Sequence, residues 1–223
     1  MKNLRLSALF VAASVALGSA LATGFAPTDA QAAVYDLSVS ECSPGCGSAP
    51  WGTVTVLPDA DSKSLDITVA LNAAFRFHEN PDANHHALTF SLVGDPAVTL
   101  SHLSGGFTRN TTHLKAPPFG TFDYAINCTG CGHGYNGGLT GPLSFEVTPL
   151  SGSLTPSSLA SNVYHLQNIF FTTDIVASSG LTGNIGAVTS GVPELSTWAM
   201  MIIGFGGVGL QMRRRNSAIL ATV

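Results

Sequence analysis

Charge is what this chain has least of. Only 10% of its 223 residues are Asp, Glu, Lys or Arg, against about 25% in an ordinary soluble domain. That scarcity excludes a disordered polyelectrolyte and a helical bundle laced with ion pairs. Cations are scarcer still: between positions 33 and 191 only Lys63, Arg76, Arg109 and Lys115 stand against 11 acids, a net charge of −7. Phosphate backbones are bound by clustered Lys and Arg that displace counterions, so a nucleic-acid partner is excluded. Tryptophan is confined to Trp51 and Trp198. Catalytic signatures are missing too, with no Gly-x-Ser-x-Gly elbow, no phosphate loop and no His-Glu-x-x-His. The hexapeptide Gly204-Phe205-Gly206-Gly207-Val208-Gly209 spells a dinucleotide fingerprint, but it lies in an apolar run and the chain ends 14 residues later. No βαβ unit fits there. The expectation is a protein that is not an enzyme and carries no cofactor.

What is plentiful is glycine (24), proline (12) and apolar residues (45%). The apolar residues alternate: Val54 and Val56; Leu65, Ile67, Val69 and Leu71; Leu88, Phe90 and Leu92; Phe122, Tyr124 and Ile126; Leu143, Phe145 and Val147. A period of two in short runs predicts half-buried strands. Turn signals such as Asn80-Pro81-Asp82, Gly94-Asp95-Pro96 and Asn136-Gly137-Gly138 separate them. The expected body, residues 33–177, is therefore an all-β, antiparallel β-sandwich with a Greek-key or jelly-roll-like path. One short helix is predicted, Pro156 to Ser161, with Thr155 as N-cap and Pro156 at its first position. Residues 178–191 are rich in small residues without periodicity, which predicts a flexible linker.

Both ends read as targeting segments. Lys2 and Arg5 precede the uncharged run Leu6 to Leu17, and A-x-A sites follow at Ala20-Leu21-Ala22 and Ala30-Gln31-Ala32. Twelve apolar residues are too few to span a bilayer, so 1–32 reads as a signal peptide for Sec-type export, cleaved after Ala32 and set by Ala30 and Ala32. At the other end Leu195 to Met212 gives 18 uncharged residues bounded by Glu194 and by Arg213, Arg214 and Arg215. That predicts one transmembrane helix with Trp198 at the interface, the arginines and residues 216–223 in the cytoplasm, and the body across the membrane.

The order of those parts carries a resemblance. Pro193-Glu194-Leu195, then Trp198-Ala199, then Gly204-Phe205-Gly206 in an apolar run, then Arg213-Arg214-Arg215, resembles the PEP-CTERM sorting signal of exported proteins of Gram-negative bacteria. Leu195 stands where that motif has its second proline. The resemblance covers residues 192–215. It implies recognition by a membrane-embedded exosortase, cleavage near Pro193-Glu194, and release of an inner-membrane-anchored precursor with a periplasmic body to the cell envelope or an exopolysaccharide matrix.

Four cysteines, Cys42, Cys46, Cys128 and Cys131, in an exported chain favour disulfides over a zinc or redox site. Two local staples and two long-range bridges both fit the spacing. Three of the seven histidines gather in His78-Glu79-Asn80-Pro81-Asp82-Ala83-Asn84-His85-His86. His78, Glu79, His85 and His86 are the candidate metal donors, but adjacent His85 and His86 would point to opposite faces of an extended chain, and a solvated polar loop is the expectation. The sequence thus reads as a structural component of the envelope or biofilm matrix. Its alternatives are a carbohydrate- or metal-binding module, sited near His78 to His86 and Trp51, and third a secreted hydrolase.

Overall fold

The computed structural model describes residues 32–40, 42, 45–59, 63–79, 85–111, 114–132 and 134–190, with 201, 202 and 205. Sixteen strands follow: β1 (Ala33–Ser40), β2 (Gly52–Pro58), β3 (Leu65–Leu71), β4 (Phe75–Phe77), β5 (Leu88–Leu92), β6 (Val98–Ser101), β7 (Phe107–Asn110), β8 (Leu114–Lys115), β9 (Thr121–Phe122), β10 (Tyr124–Cys128), β11 (Leu143–Pro149), β12 (Leu159–Ala160), β13 (Asn162–Tyr164), β14 (Gln167–Ile169), β15 (Phe171–Ala177) and β16 (Thr182–Thr189). The body is all-β and its ladders are antiparallel, as the alternating pattern predicts.

Ten strands form one continuous path, β6-β11-β3-β2-β1-β16-β15-β5-β10-β7, with β12 on β5 and β4 on β15. The sheet folds over itself. Phe90 of β5 and Phe145 of β11, far apart in that order, bring their rings to 5.8 Å. The two edge strands, β6 and β7, are consecutive in the chain, and Arg109 on β7 donates from Nη1 to the Leu100 carbonyl on β6 at 3.0 Å. The result is a nearly closed, sandwich- or barrel-like wall. Its interior holds Leu37, Val54, Ile67, Phe77, Phe90, Ile126, Phe145, Phe171, Ile175 and Ile185 in one cluster. Each such side chain contributes about 1.5–3 kcal/mol by leaving water.

Two expectations need correction. Residues 178–191 are not a linker, because Thr182–Thr189 forms β16, paired with β1 on one side and β15 on the other. Its glycines serve close packing: a Cβ on Gly183 would stand 2.8 Å from the Cα of Cys42, and one on Gly186 would stand 3.0 Å from Ile169. The body therefore runs past 177 to Ser190, whose N–H donates to the Val34 carbonyl at 3.0 Å. The helix expected over 156–161 is a single 3-10 turn, Pro156–Ser158, with the Thr155 N–H bonded to Ser158 Oγ at 3.0 Å. Leu159 and Ala160 leave it to pair with Leu92 and Ser91.

Covering segments close the outer face of β16 and its neighbours. Ala116, Phe119, Phe122 and Ile169 form a second apolar cluster there, with Val39, Tyr164 and Val188 against it. Strand β15 is buried along its whole length. Pro193, Glu194, Leu195, Trp198, Gly204, Gly206, Arg213, Arg214, Arg215 and Ala30 lie outside the described residues; Ala32 and Phe205 are described and exposed. Among the described residues no helix is long and apolar enough to cross a membrane.

Candidate functional site

The histidine segment is built onto β15. Phe171 and Ile175 of that strand point into the core, so alternation sends Thr172, Asp174 and Val176 to the opposite face. On an open sheet Asp174 would meet water. Here it is fully buried, because both ends of the segment 78–86 fold over it.

Asp174 holds those ends through main chain and side chain together. Its carbonyl accepts the His78 N–H at 2.9 Å and its N–H donates to the His86 carbonyl at 3.0 Å. Its Oδ2 lies 2.7 Å from His78 Nδ1, and its Oδ1 lies 3.6 Å from His85 Nδ1. Burial alone would push the carboxyl up, but the hydrogen bond from His78 and the charge attraction of His78 and His85 outweigh it and hold Asp174 below the usual carboxylate range. Next to it, Thr173 Oγ1 donates to the Ala87 carbonyl at 2.6 Å, and Thr172 and Thr89 share a hydroxyl hydrogen bond at 2.5 Å.

The four candidate donors divide. His78 and His85 turn to Asp174; Glu79 and His86 turn to the end of β10, where Glu79 accepts the Cys128 N–H and His86 Nδ1 lies 3.0 Å from Asn127 Oδ1. His85 and His86 turn to different partners. Burial raises the Glu79 carboxyl, against the pull of the Cys128 N–H. Among the described residues no group of three or more His, Cys, Asp or Glu side chains gathers as a metal cluster. The expectation of a solvated loop is corrected at its ends, since His78 and His86 are both buried.

The cysteines pair as local staples, Cys42–Cys46 and Cys128–Cys131, with Cα–Cα separations of 5.7 and 5.6 Å, inside the disulfide range. Thiolate zinc ligation has no thiols left. Trp51 is buried and its Nε1 donates to the Cys46 carbonyl at 2.6 Å, so it offers no exposed face for a sugar ring.

Sequence reasoning passed over Asp174 and Asn184. The signal for Asp174 was a lone acid inside the strand Phe170-Phe171-Thr172-Thr173-Asp174-Ile175, since a buried carboxylate demands partners. Asn184 lay in the supposed linker and carried no signal. The chain matches no protein-family model, no curated protein and no solved structure.

Proposed function

We propose that this is an exported structural component of the cell envelope or extracellular matrix, a disulfide-stapled β-sandwich of Greek-key or jelly-roll kind, delivered by its C-terminal sorting signal. One observation carries the reading. The three-part tail beginning at Pro193 follows almost directly on Ser190, which is hydrogen-bonded to Val34, next to the expected cleavage site after Ala32. Both targeting segments would thus leave the body from one corner, an arrangement suited to a precursor held at a membrane surface by either end.

The body suits the same role. Its two disulfides fit an oxidising compartment. The absence of sequence signatures for hydrolysis and its low charge favour a scaffold over a hydrolase. The partners on this reading are the Sec-type export machinery, an exosortase and matrix polysaccharide.

The test is intact-mass analysis of the protein from envelope and culture supernatant, with both terminal peptides identified. A species beginning at Ala33, ending near Pro193 or Glu194 and lighter by four hydrogens supports the reading. Retention of residues 213–223 in the membrane fraction overturns the sorting step, and an uncleaved N-terminus in the cytoplasm overturns export.

A further inference from the structure

Facing residues of β15 and β16 bury two oxygen atoms that accept from no donor among the described residues. Asp174 and Asn184 are directly opposite in the ladder, so their side chains leave the same face with Cβ atoms roughly 4.5–5.5 Å apart. Asp174 Oδ1 and Asn184 Oδ1 are shielded from water and meet no hydrogen-bond donor among the described residues. The Asn184 amide nitrogen is engaged by the Pro117 carbonyl at 2.8 Å, which leaves the oxygen as the unused end. A stranded acceptor of this kind costs about 1–3 kcal/mol, and more when it is charged.

A third atom points to what would satisfy them. His85 Nδ1 is 3.6 Å from Asp174 Oδ1, too long for a hydrogen bond. It is the separation of two ligands on one ion: bonds of about 2.0–2.2 Å to N and O, opened to a near-tetrahedral angle, put the donors about 3.3–3.6 Å apart. We propose that Asp174 Oδ1, Asn184 Oδ1 and His85 Nδ1 form a seat for a divalent first-row transition ion such as Zn²⁺, completed by water. One imidazole with two oxygens matches the ligand preference of such ions. The third donor is an amide oxygen, so the seat holds only two residues of the His, Cys, Asp and Glu set.

The surroundings fit. His78 occupies the other carboxylate oxygen at 2.7 Å and orients it, the part outer partners play around a metal. Asp174 is fully buried while the His85 side chain is 25% exposed, which gives an ion its way in. No thiolate is involved, so the seat is compatible with an oxidising compartment. The proposal is independent of the export reading above.

A buried water could donate to both oxygens and accept from His85, and the experiment separates it from an ion. The full-length chain, stripped with chelator, is titrated with Zn²⁺ while its melting temperature is followed, and with Co²⁺ while visible ligand-field bands are recorded. Saturation at one ion per chain with a raised melting temperature is the expected result. His85→Gln, at a partly exposed position, should leave the metal-free melting temperature nearly unchanged and weaken binding at least about tenfold. No response of the unaltered chain to either ion overturns the proposal in favour of water. Equal binding by His85→Gln overturns it in favour of a different site.

Discussion

Strands β3 and β15 have the same length, lie in the same sheet and line the same core, and both read as strands in the sequence, yet only β3 alternates. In β3 the residues Leu65, Ile67 and Val69 are buried while Asp66 and Ala70 are exposed. In β15 every residue from Phe171 to Ala177 is buried. The difference lies in what covers the outer face. Nothing in the second apolar cluster reaches β3, whereas the ends of the histidine segment bond to β15 and Phe119 and Ile169 stand over Gly186 of its neighbour β16. Alternation reports a face open to water. In β15, closed on both faces, small and hydrogen-bonding residues break the alternation, whereas β5 is buried throughout and keeps it with Thr89 and Ser91 between Leu88, Phe90 and Leu92.

The sharpest way to break that contrast is to change one residue type on the outer face of each strand. Asp174→Asn should cost about 1–3 kcal/mol, because it removes the buried carboxylate whose oxygen pairs with His78 Nδ1; urea unfolding would measure it. An effect below 1 kcal/mol would mean that the roof over β15 is loose.

Glycine gives the second comparison. Gly183→Ala pushes a methyl group to 2.8 Å from the Cα and Cβ of Cys42, and overpacking of this kind should lower stability by about 1–3 kcal/mol. Gly105→Ala, with nothing within 4 Å, should stay within about 0.5 kcal/mol. Melting curves of the two variants side by side check whether β16 is packed or slack.

Reduction comes next. The staples close loops of four and three residues in sequence separation, for which the chain-entropy argument gives about 2 kcal/mol each. Unfolding with and without dithiothreitol should show that loss, with Cys42→Ser/Cys46→Ser loosening the contact over Gly183 as well.

The smallest effect belongs to Asp66, on the open face opposite Glu146. Burial, then Asp59 and Glu146, raise its carboxyl above the usual value. A raised native pKa means the folded state holds that proton more tightly. The contribution favours folding below about pH 3.9, the unfolded value, and is lost as pH rises through the native one. Asp66→Asn should remove this step and, by relieving Glu146, change stability at neutral pH by under about 0.5 kcal/mol; denaturation at several pH values reads it.

Legibility follows the same divide. The alternating runs of β2, β3 and β11 were readable because the residues between their buried positions are at least partly open to solvent. Strand β16 was not, since Gly183, Asn184 and Gly186 are the residues of a linker in any local window and acquire their meaning only from Cys42, Pro117 and Ile169, which are remote in sequence. The histidines were visible as a cluster, but the residue that organises them sits almost a hundred positions downstream. Short-range spacing therefore named His78 and His85 and missed Asp174 and Asn184.

The bond between Ser190 and Val34 has a mechanical consequence. Strands β1 and β16 are antiparallel, and the chain enters the one and leaves the other at the same corner. A force that drew the two ends apart would load their hydrogen bonds one after another and peel the pair like a zipper. A body anchored by its C-terminal end alone and gripped at the opposite pole would instead load the whole of β16 in shear, with its bonds to β1 and β15 sharing the tension. Loss of the N-terminal segment would thus change how the molecule bears load without changing its shape.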